Sequence, residues 1–254
     1  MKTNNGNING KVKLKFFNPI ESSMKKSCFN TLIIGKKHTG KSTLMKDLMF
    51  WTNAMKYPRA VIFSGTEDAN SFYSSFIPNA FIHNDCTPEK LEKIFKAQMD
   101  IVTQCRKDQG KQQIDTRLVF IVDDLTYQKK AMSSEILRQI FMNGRHWDIS
   151  MIIGTQYVIS IPPDIRANVD FLFCLKENVP MNKKRLYNNY FGCFEKFSDF
   201  SRVLDTCTNN YEALVLDNTI PSSNKEETCF WYKAKRREFR FGSNTFWTFG
   251  TKSS

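Results

Sequence analysis

The chain has 254 residues, 41% of them hydrophobic, and a formal net charge of +12. This length favours one α/β domain over two cramped ones, and we expect that domain at residues 12–254, after a flexible arm at 1–11. The seven cysteines are odd in number and form no CxxC pair, and no long apolar run resembles a signal peptide or a membrane span. These features argue against a disulfide framework, a zinc ribbon or secretion, and favour a reducing compartment.

Apolar runs and helical stretches alternate along the first two thirds of the chain. Buried strands are predicted at residues 28–35, 60–64, 118–122, 150–155 and 171–175. Helices are predicted at 41–51, 87–106 and 133–144, the second with Thr87 as its N-cap and Pro88 at its first position. Repeated βα units of this length predict a mostly parallel sheet covered by helices on both faces.

Beyond residue 177 the alternation weakens, and we expect this part to be a C-terminal extension of the same domain. Helices are predicted at 180–191 and 194–207, strands at 212–216 and 229–234, and a polar loop at 220–227. The aromatic tail at 239–250 is expected either to dock at a sheet edge or to contact a neighbouring subunit.

The segment between the first strand and the first helix fits the phosphate-loop pattern GxxxxGK[ST]. Its glycines let the backbone approach phosphate oxygens, and its N–H groups and the helix N-terminus supply positive potential. Lys41 is predicted to reach the β- and γ-phosphates of ATP, and Ser42 to ligate Mg²⁺. The predicted nucleotide-binding residues are Gly35, Lys36, Lys37, His38, Thr39, Gly40, Lys41, Ser42 and Thr43. The pattern predicts a three-layer P-loop NTPase fold of the RecA-like (ASCE) type.

Two acids follow the strand predicted at 118–122. Alone, such a pair is often a strand-ending turn, but together with a phosphate loop it predicts the carboxylates of the same site, at the end of a neighbouring strand. Asp123 is expected to hold Mg²⁺, directly or through water, and Asp124 to polarise the attacking water. The second acid favours hydrolysis over phosphate transfer to a small acceptor. His83 and Cys86 have a metal-compatible spacing but no second Cys/His pair, so no metal other than nucleotide-bound Mg²⁺ is predicted.

Positive charge is concentrated at the two ends of the chain. Residues 1–50 contain ten lysines and two acids, and residues 225–254 contain seven basic and three acidic residues. This distribution suits surfaces that face a polyanion such as DNA. A generally solvated basic surface is the alternative, because part of the excess at residues 1–50 belongs to the phosphate loop.

Two further segments resemble one family of P-loop motors. Residues 143–156 (NGRHWDISMIIGTQ) and 161–168 (IPPDIRAN) are similar to segments of the DNA-packaging ATPases of nucleocytoplasmic large DNA viruses and virophages, in the FtsK–HerA branch. The similarity covers roughly residues 28–191. It implies an ATP-hydrolysing translocase that packages the double-stranded viral genome into the capsid.

The same resemblance implies particular partners and a location. A ring of about five or six subunits would surround duplex DNA and meet capsid vertex or portal proteins, without contacting a membrane. The expected location is the host cytoplasm, at the viral factory, and the virion. DNA contacts are expected from phosphate-directed lysines and arginines, including the 233–240 cluster, because packaging must ignore sequence.

Three further site residues follow from the resemblance. Gln156 becomes the polar sensor at the end of the fourth strand. Arg145 is the first candidate for the arginine finger that acts on a neighbouring subunit's nucleotide, and Arg166 is the second. Asp124 departs from the pattern, since most cellular members of this branch have Glu there, and the shorter side chain bears on the turnover rate. With Lys41, these residues form the predicted catalytic set.

Two other functions stay open from the sequence. A P-loop kinase for a nucleotide or another small molecule would transfer phosphate to its acceptor, although the paired acids and Gln156 disfavour it. A nucleotide-gated DNA-binding or scaffold protein would bind ATP without turnover, and the basic, aromatic C-terminal region would suit it.

Overall fold

The computed structural model describes residues 14–25, 27–108, 114–123, 133–157 and 161–252. The strands in these ranges are β1 (Lys15–Phe16), β2 (Asn30–Ile34), β3 (Arg59–Ser64), β4 (Ile82–His83), β5 (Leu118–Asp123), β6 (Ile149–Thr155), β7 (Phe171–Cys174), β8 (Glu212–Asp217) and β9 (Cys229–Lys233). The helices are α1 (Lys41–Ala54), α2 (Glu67–Asn70), α3 (Pro88–Lys107), α4 (Glu135–Asn143), α5 (Pro163–Ala167), α6 (Pro180–Tyr190), α7 (Phe197–Cys207), α8 (Lys225–Thr228) and α9 (Asn244–Lys252). None of these helices is long and apolar enough to cross a membrane.

All nine described strands belong to one sheet, in the order β1-β9-β8-β7-β2-β6-β5-β3-β4. The run from β7 to β4 is parallel throughout. Strand β8 pairs antiparallel with both β7 and β9, and β1 pairs parallel with β9. The predicted mostly parallel α/β fold is confirmed, with an antiparallel extension built from residues after 177.

The central strands are mostly apolar because both faces of the sheet are covered. Successive residues alternate between two cores: Phe120 and Val122 pack on one face, and Val119 and Ile121 on the other. The first face is covered by helices α3 to α7 and the second by α1 and the C-terminal tail. The result is a three-layer arrangement in which the carboxyl ends of the parallel strands meet at one edge.

Several elements differ from those predicted from the sequence. Strands β1 and β4, of two residues each, were missed because so short a segment leaves no periodic pattern. Helix α7 begins at Phe197, three residues after the predicted start, and the predicted loop at 220–227 contains the start of the short helix α8. The aromatic tail at 239–250 packs on its own chain, and from Asn244 onward it forms helix α9.

The tail docks through aromatic contacts. Phe241 and Phe246 are buried, and the Phe246 ring stacks on Phe81 with their centroids 4.4 Å apart. The Trp247 indole N–H donates to the Phe241 carbonyl at 2.8 Å. The segment therefore docks within its own chain, and its contact with a neighbouring subunit stays a prediction.

Candidate nucleotide-binding site

The phosphate loop connects the carboxyl end of β2 with the first turn of α1. Its first residue is tied to the neighbouring strand, since the Gly35 N–H donates to the Thr155 carbonyl at 3.0 Å. Within the loop, the Thr39 hydroxyl donates to the Lys36 carbonyl at 2.7 Å. Gly40, with φ of 98°, takes the left-handed conformation that lets the chain turn into the helix. The loop therefore has the strand–turn–helix setting that the sequence predicted.

Lys41 and Asp123 meet in the pocket above this loop. The lysine is 8% exposed and the aspartate 4%, and Nζ lies 3.9 Å from Oδ1. The prediction that β5 is the direct neighbour of β2 is wrong, because β6 lies between them. Gly154 on β6 makes room for the contact, since a Cβ there would lie 2.8 Å from Asp123 Oδ1.

Asp123 is oriented by Tyr73, which is not among the predicted site residues. The Tyr73 hydroxyl donates to Asp123 Oδ2 at 2.8 Å, and Tyr73 is 1% exposed. The Glu67 carboxylate fixes the turn that carries this tyrosine by accepting three backbone N–H groups, from residues 72–74. No local pattern indicates the role, because Tyr73 lies 50 residues from its partner in the chain.

The pocket has a volume of about 630 Å³, within the usual range for small-molecule sites. It is lined by most of the predicted phosphate-loop residues and by Asp123. Its other walls come from three distant segments that were not predicted: Thr66, Asn70, Asn210, Tyr211, Lys233, Ala234 and Arg236. The sheet order brings these segments together from regions far apart in sequence.

The oxygen donors of the pocket suit a magnesium ion. Ser42 is exposed at the first turn of α1, and the Asp123 carboxylate faces the same space. Mg²⁺ prefers oxygen ligands and is commonly held by one or two carboxylates together with substrate phosphates. The residues present therefore fit the predicted Mg²⁺ site.

A buried carboxylate fastens the C-terminal wall to α1. Asp47 is fully buried and accepts from the Tyr232 hydroxyl at 2.6 Å, the Lys235 N–H at 3.0 Å and Arg237 Nε at 2.7 Å. The Arg237 guanidinium also lies 4.1 Å from the ring centroid of Phe50. This network fixes residues 233–237, which we call the strap, beside the phosphate loop.

Some side chains of the basic 233–240 cluster make contacts within the chain. Arg237 points toward Asp47, whereas Lys233 and Arg236 line the nucleotide pocket. The Arg240 guanidinium lies 4.3 Å from the ring centroid of Trp247. Part of the cluster predicted to contact DNA thus serves the fold and the pocket.

The remaining predicted site residues lie in different places. Asp124 is outside the described residues. Gln156 is half-buried and directly follows β6, at the same edge as the phosphate loop. Arg166 is on α5, in the helical layer opposite α1, where Ile165 enters the core.

Arg145 lies at the amino ends of the parallel strands, whereas the phosphate loop lies at their carboxyl ends. It precedes β6, and its guanidinium pairs with Asp170 at 2.7 Å. Burial raises the pKa of Asp170, while the backbone N–H of Asn30 and Arg145 act in the other direction. The seven residues of β6 put Arg145 roughly 20 Å from the phosphate loop of its own chain. A role as an arginine finger therefore stays a prediction about a neighbouring subunit.

Comparison with known proteins finds relatives of this chain in large DNA viruses. Residues 16–240 match the family described as Poxvirus A32 protein. Protein L437 of Acanthamoeba polyphaga mimivirus is 36% identical over 217 residues, covering 85% of this chain and 76% of that protein. Protein 075L of Invertebrate iridescent virus 6 is 35% identical over 232 residues, covering 87% of each chain.

Solved structures share the fold. The genome packaging NTPase B204 from Sulfolobus turreted icosahedral virus 2, in complex with AMPPCP, has a TM-score of 0.61 at 17% identity, covering 83% of this chain and 99% of that one. The pCW3 conjugation coupling protein TcpA, with ATPγS, has a TM-score of 0.54 at 12% identity, covering 89% of this chain and 64% of that one. At these identities the likeness concerns the fold alone.

Proposed function

The chain belongs to the Poxvirus A32 protein family, and we propose that it is an ATP-hydrolysing motor that packages double-stranded viral DNA. The observation that carries the proposal is the approach of Lys41 to Asp123 in a pocket lined by the phosphate loop. In this arrangement Lys41 can bind a phosphate group of the nucleotide, and the neighbouring Asp123 carboxylate can bind Mg²⁺. Family membership and the structural likeness to B204, the DNA-packaging ATPase from Sulfolobus turreted icosahedral virus, support the choice of DNA as the partner.

The phosphate loop and five side chains at or near the pocket have distinct parts in the proposed reaction. The loop backbone holds the β- and γ-phosphates, and Lys41 neutralises charge that develops as the terminal phosphate leaves. Ser42 and Asp123 would hold Mg²⁺, which supplies electrostatic stabilisation of the phosphates. Asp124 polarises the attacking water, and Gln156, at the same sheet edge, orients it.

The first experiment measures ATP hydrolysis with and without double-stranded DNA. We expect DNA to stimulate turnover, and Lys41→Ala and Asp124→Asn each to lower it at least 100-fold, on the order of 3 kcal/mol of transition-state stabilisation. Lys93→Ala is the matched control, since Lys93 is exposed on α3, away from the pocket. ATP binding without turnover in the wild-type protein would replace the motor with a nucleotide-gated switch.

The proposal includes a ring in which each nucleotide is completed by an arginine from the next subunit. Arg145 is the first candidate and Arg166 the second, and neither belongs to the described lining of its own chain's pocket. We expect inactive Lys41→Ala and Arg145→Ala proteins to regain activity when mixed, because some interfaces then combine an intact lysine with an intact arginine. If Arg145→Ala keeps full activity, the same mixing with Arg166→Ala decides the second candidate. Full activity of a monomer would refute the ring.

DNA binding should depend mainly on phosphate contacts. We expect the affinity for duplex DNA to fall steeply between about 50 and 200 mM salt and to vary little with sequence, because released counterions dominate such binding. The strap lysine Lys235 is exposed and is a candidate contact. An affinity that does not change with salt would contradict this mode of binding.

A further inference from the structure

The turn before β8 has an unusual backbone. Asn210 and Tyr211 have φ of 55° and 61°, two successive residues in the left-handed region. Asparagine tolerates this conformation, but a bulky residue such as tyrosine pays a steric cost for it. Strain of this kind persists only where the surroundings hold it, and it is frequent at ligand sites.

Contacts on both sides hold this turn in place. Lys176 Nζ donates to Asn209 Oδ1 at 3.1 Å and to the Asp205 carbonyl at 3.2 Å. On the other side, Glu212 pairs with Lys233 at 3.2 Å, which joins the turn to the end of β9. These contacts flank Tyr211 on both sides and support the turn that carries it.

The Tyr211 side chain lies at the edge of the phosphate loop. A Cβ built on Gly40 would lie 3.4 Å from Tyr211 Cδ1, so the ring contacts the backbone where the loop enters α1. Nevertheless 69% of the residue is exposed, and it lines the same pocket as Lys41 and Ser42. Packing within the chain thus accounts for only part of the ring's surface.

The pocket is larger than its phosphate-binding part. The strap brings Lys233, Ala234 and Arg236 to its lining, and the buried Asp47 holds the strap there. The pocket therefore combines an exposed aromatic ring and strap cations with a phosphate loop. Such a combination suits a ligand with a flat π-system attached to phosphates.

We propose that Tyr211 stacks on the base of the bound nucleotide and that its strained backbone is maintained for this contact. The proposal rests on the proposed function, because it assigns a further contact within the same ATP site. Stacking on an aromatic side chain is tolerant of base identity, since every base has a π-face. Tyr211 therefore contributes affinity for the nucleoside part and little discrimination among bases.

The test compares ATP with inorganic tripolyphosphate, which keeps the phosphates but has no base. Dissociation constants of both are measured by calorimetry, with Mg²⁺, for the wild type and for two variants. Tyr211→Asn removes the ring but retains a residue that tolerates positive φ, and Tyr211→Phe retains the ring. Phe249→Asn is the control, since Phe249 is 64% exposed on α9.

We expect Tyr211→Asn to raise the Kd of ATP about tenfold and to leave the Kd of tripolyphosphate unchanged. Tyr211→Phe and Phe249→Asn should stay within about twofold of the wild type. The melting temperature of Tyr211→Asn should equal or exceed that of the wild type, because this substitution relieves backbone strain.

Two results overturn the stacking contact while leaving the ATP site intact. One is wild-type ATP affinity in Tyr211→Asn, and the other is an equal loss for ATP and tripolyphosphate, which would indicate a general disturbance of the loop. The failure of the wild-type protein to bind ATP would instead overturn the proposed function and this contact together.

Discussion

Removing the Asp47 carboxylate tests how the strap is held beside the nucleotide pocket. Asp47 is fully buried and accepts from Arg237, the Tyr232 hydroxyl and the Lys235 N–H. Asp47→Ala leaves all three donors without this acceptor, and the Arg237 side chain is only 21% exposed. We therefore expect Asp47→Ala to lower the free energy of unfolding and to loosen the attachment of residues 233–237 to α1.

The magnitude follows from burial. Breaking a buried ion pair by removing one partner costs about 3–5 kcal/mol, and each neutral hydrogen bond contributes about 1 kcal/mol. Partial exposure of Arg237 lets water replace some of the loss, so we expect Asp47→Ala to lower the free energy of unfolding by about 4 kcal/mol. Asp47→Asn keeps an acceptor oxygen and should cost about 2 kcal/mol. For a chain of 254 residues, 4 kcal/mol corresponds to a melting temperature lowered by roughly 8 °C.

Urea unfolding, followed by circular dichroism, measures these changes. Asp100→Ala is the control, because Asp100 is exposed on α3, and its effect should stay within about 0.5 kcal/mol. In a double-mutant cycle, Asp47→Ala and Arg237→Gln should show a coupling of about 2 kcal/mol. A loss below about 1 kcal/mol for Asp47→Ala would refute the argument that this carboxylate anchors the strap.

Two other features give predictions. Gly154→Ala should lower ATP turnover at least tenfold, because the added methyl group would lie 2.8 Å from Asp123 Oδ1. Gly192→Ala is the control and should leave turnover unchanged, because there is open space around Gly192. Equal turnover rates for the two variants would contradict the prediction that Gly154 is needed to make room for Asp123. The Cys193 and Cys229 sulfurs are 3.8 Å apart, and their hydrogen bond lowers the pKa of Cys193 below its usual range. Alkylation of Cys193 by iodoacetamide should therefore rise with pH and reach half its maximal rate below the pKa of about 8.5 of a free cysteine, and a midpoint at or above that pH would contradict this.

Much of the fold could be predicted from local sequence. Each central strand contains a continuous apolar stretch because both of its faces are buried, and the phosphate loop needs glycine, lysine and serine at fixed spacings. Thr87 caps α3 by accepting from the Lys90 N–H, as expected of a threonine before a proline that starts a helix. These features depend on neighbours close in the chain, so the sequence by itself determines them.

The order of the strands and the walls of the pocket were decided only by the tertiary structure. Hydrophobic runs do not state which strand pairs with which, so the insertion of β6 between β2 and β5 was not foreseen. Tyr73, Tyr211 and Arg236 reach the site from separate segments, and isolated polar or aromatic residues leave no periodic signal. The phosphate-binding chemistry is thus encoded locally, whereas its orientation and its additional walls arise from long-range packing that sets distant residues side by side.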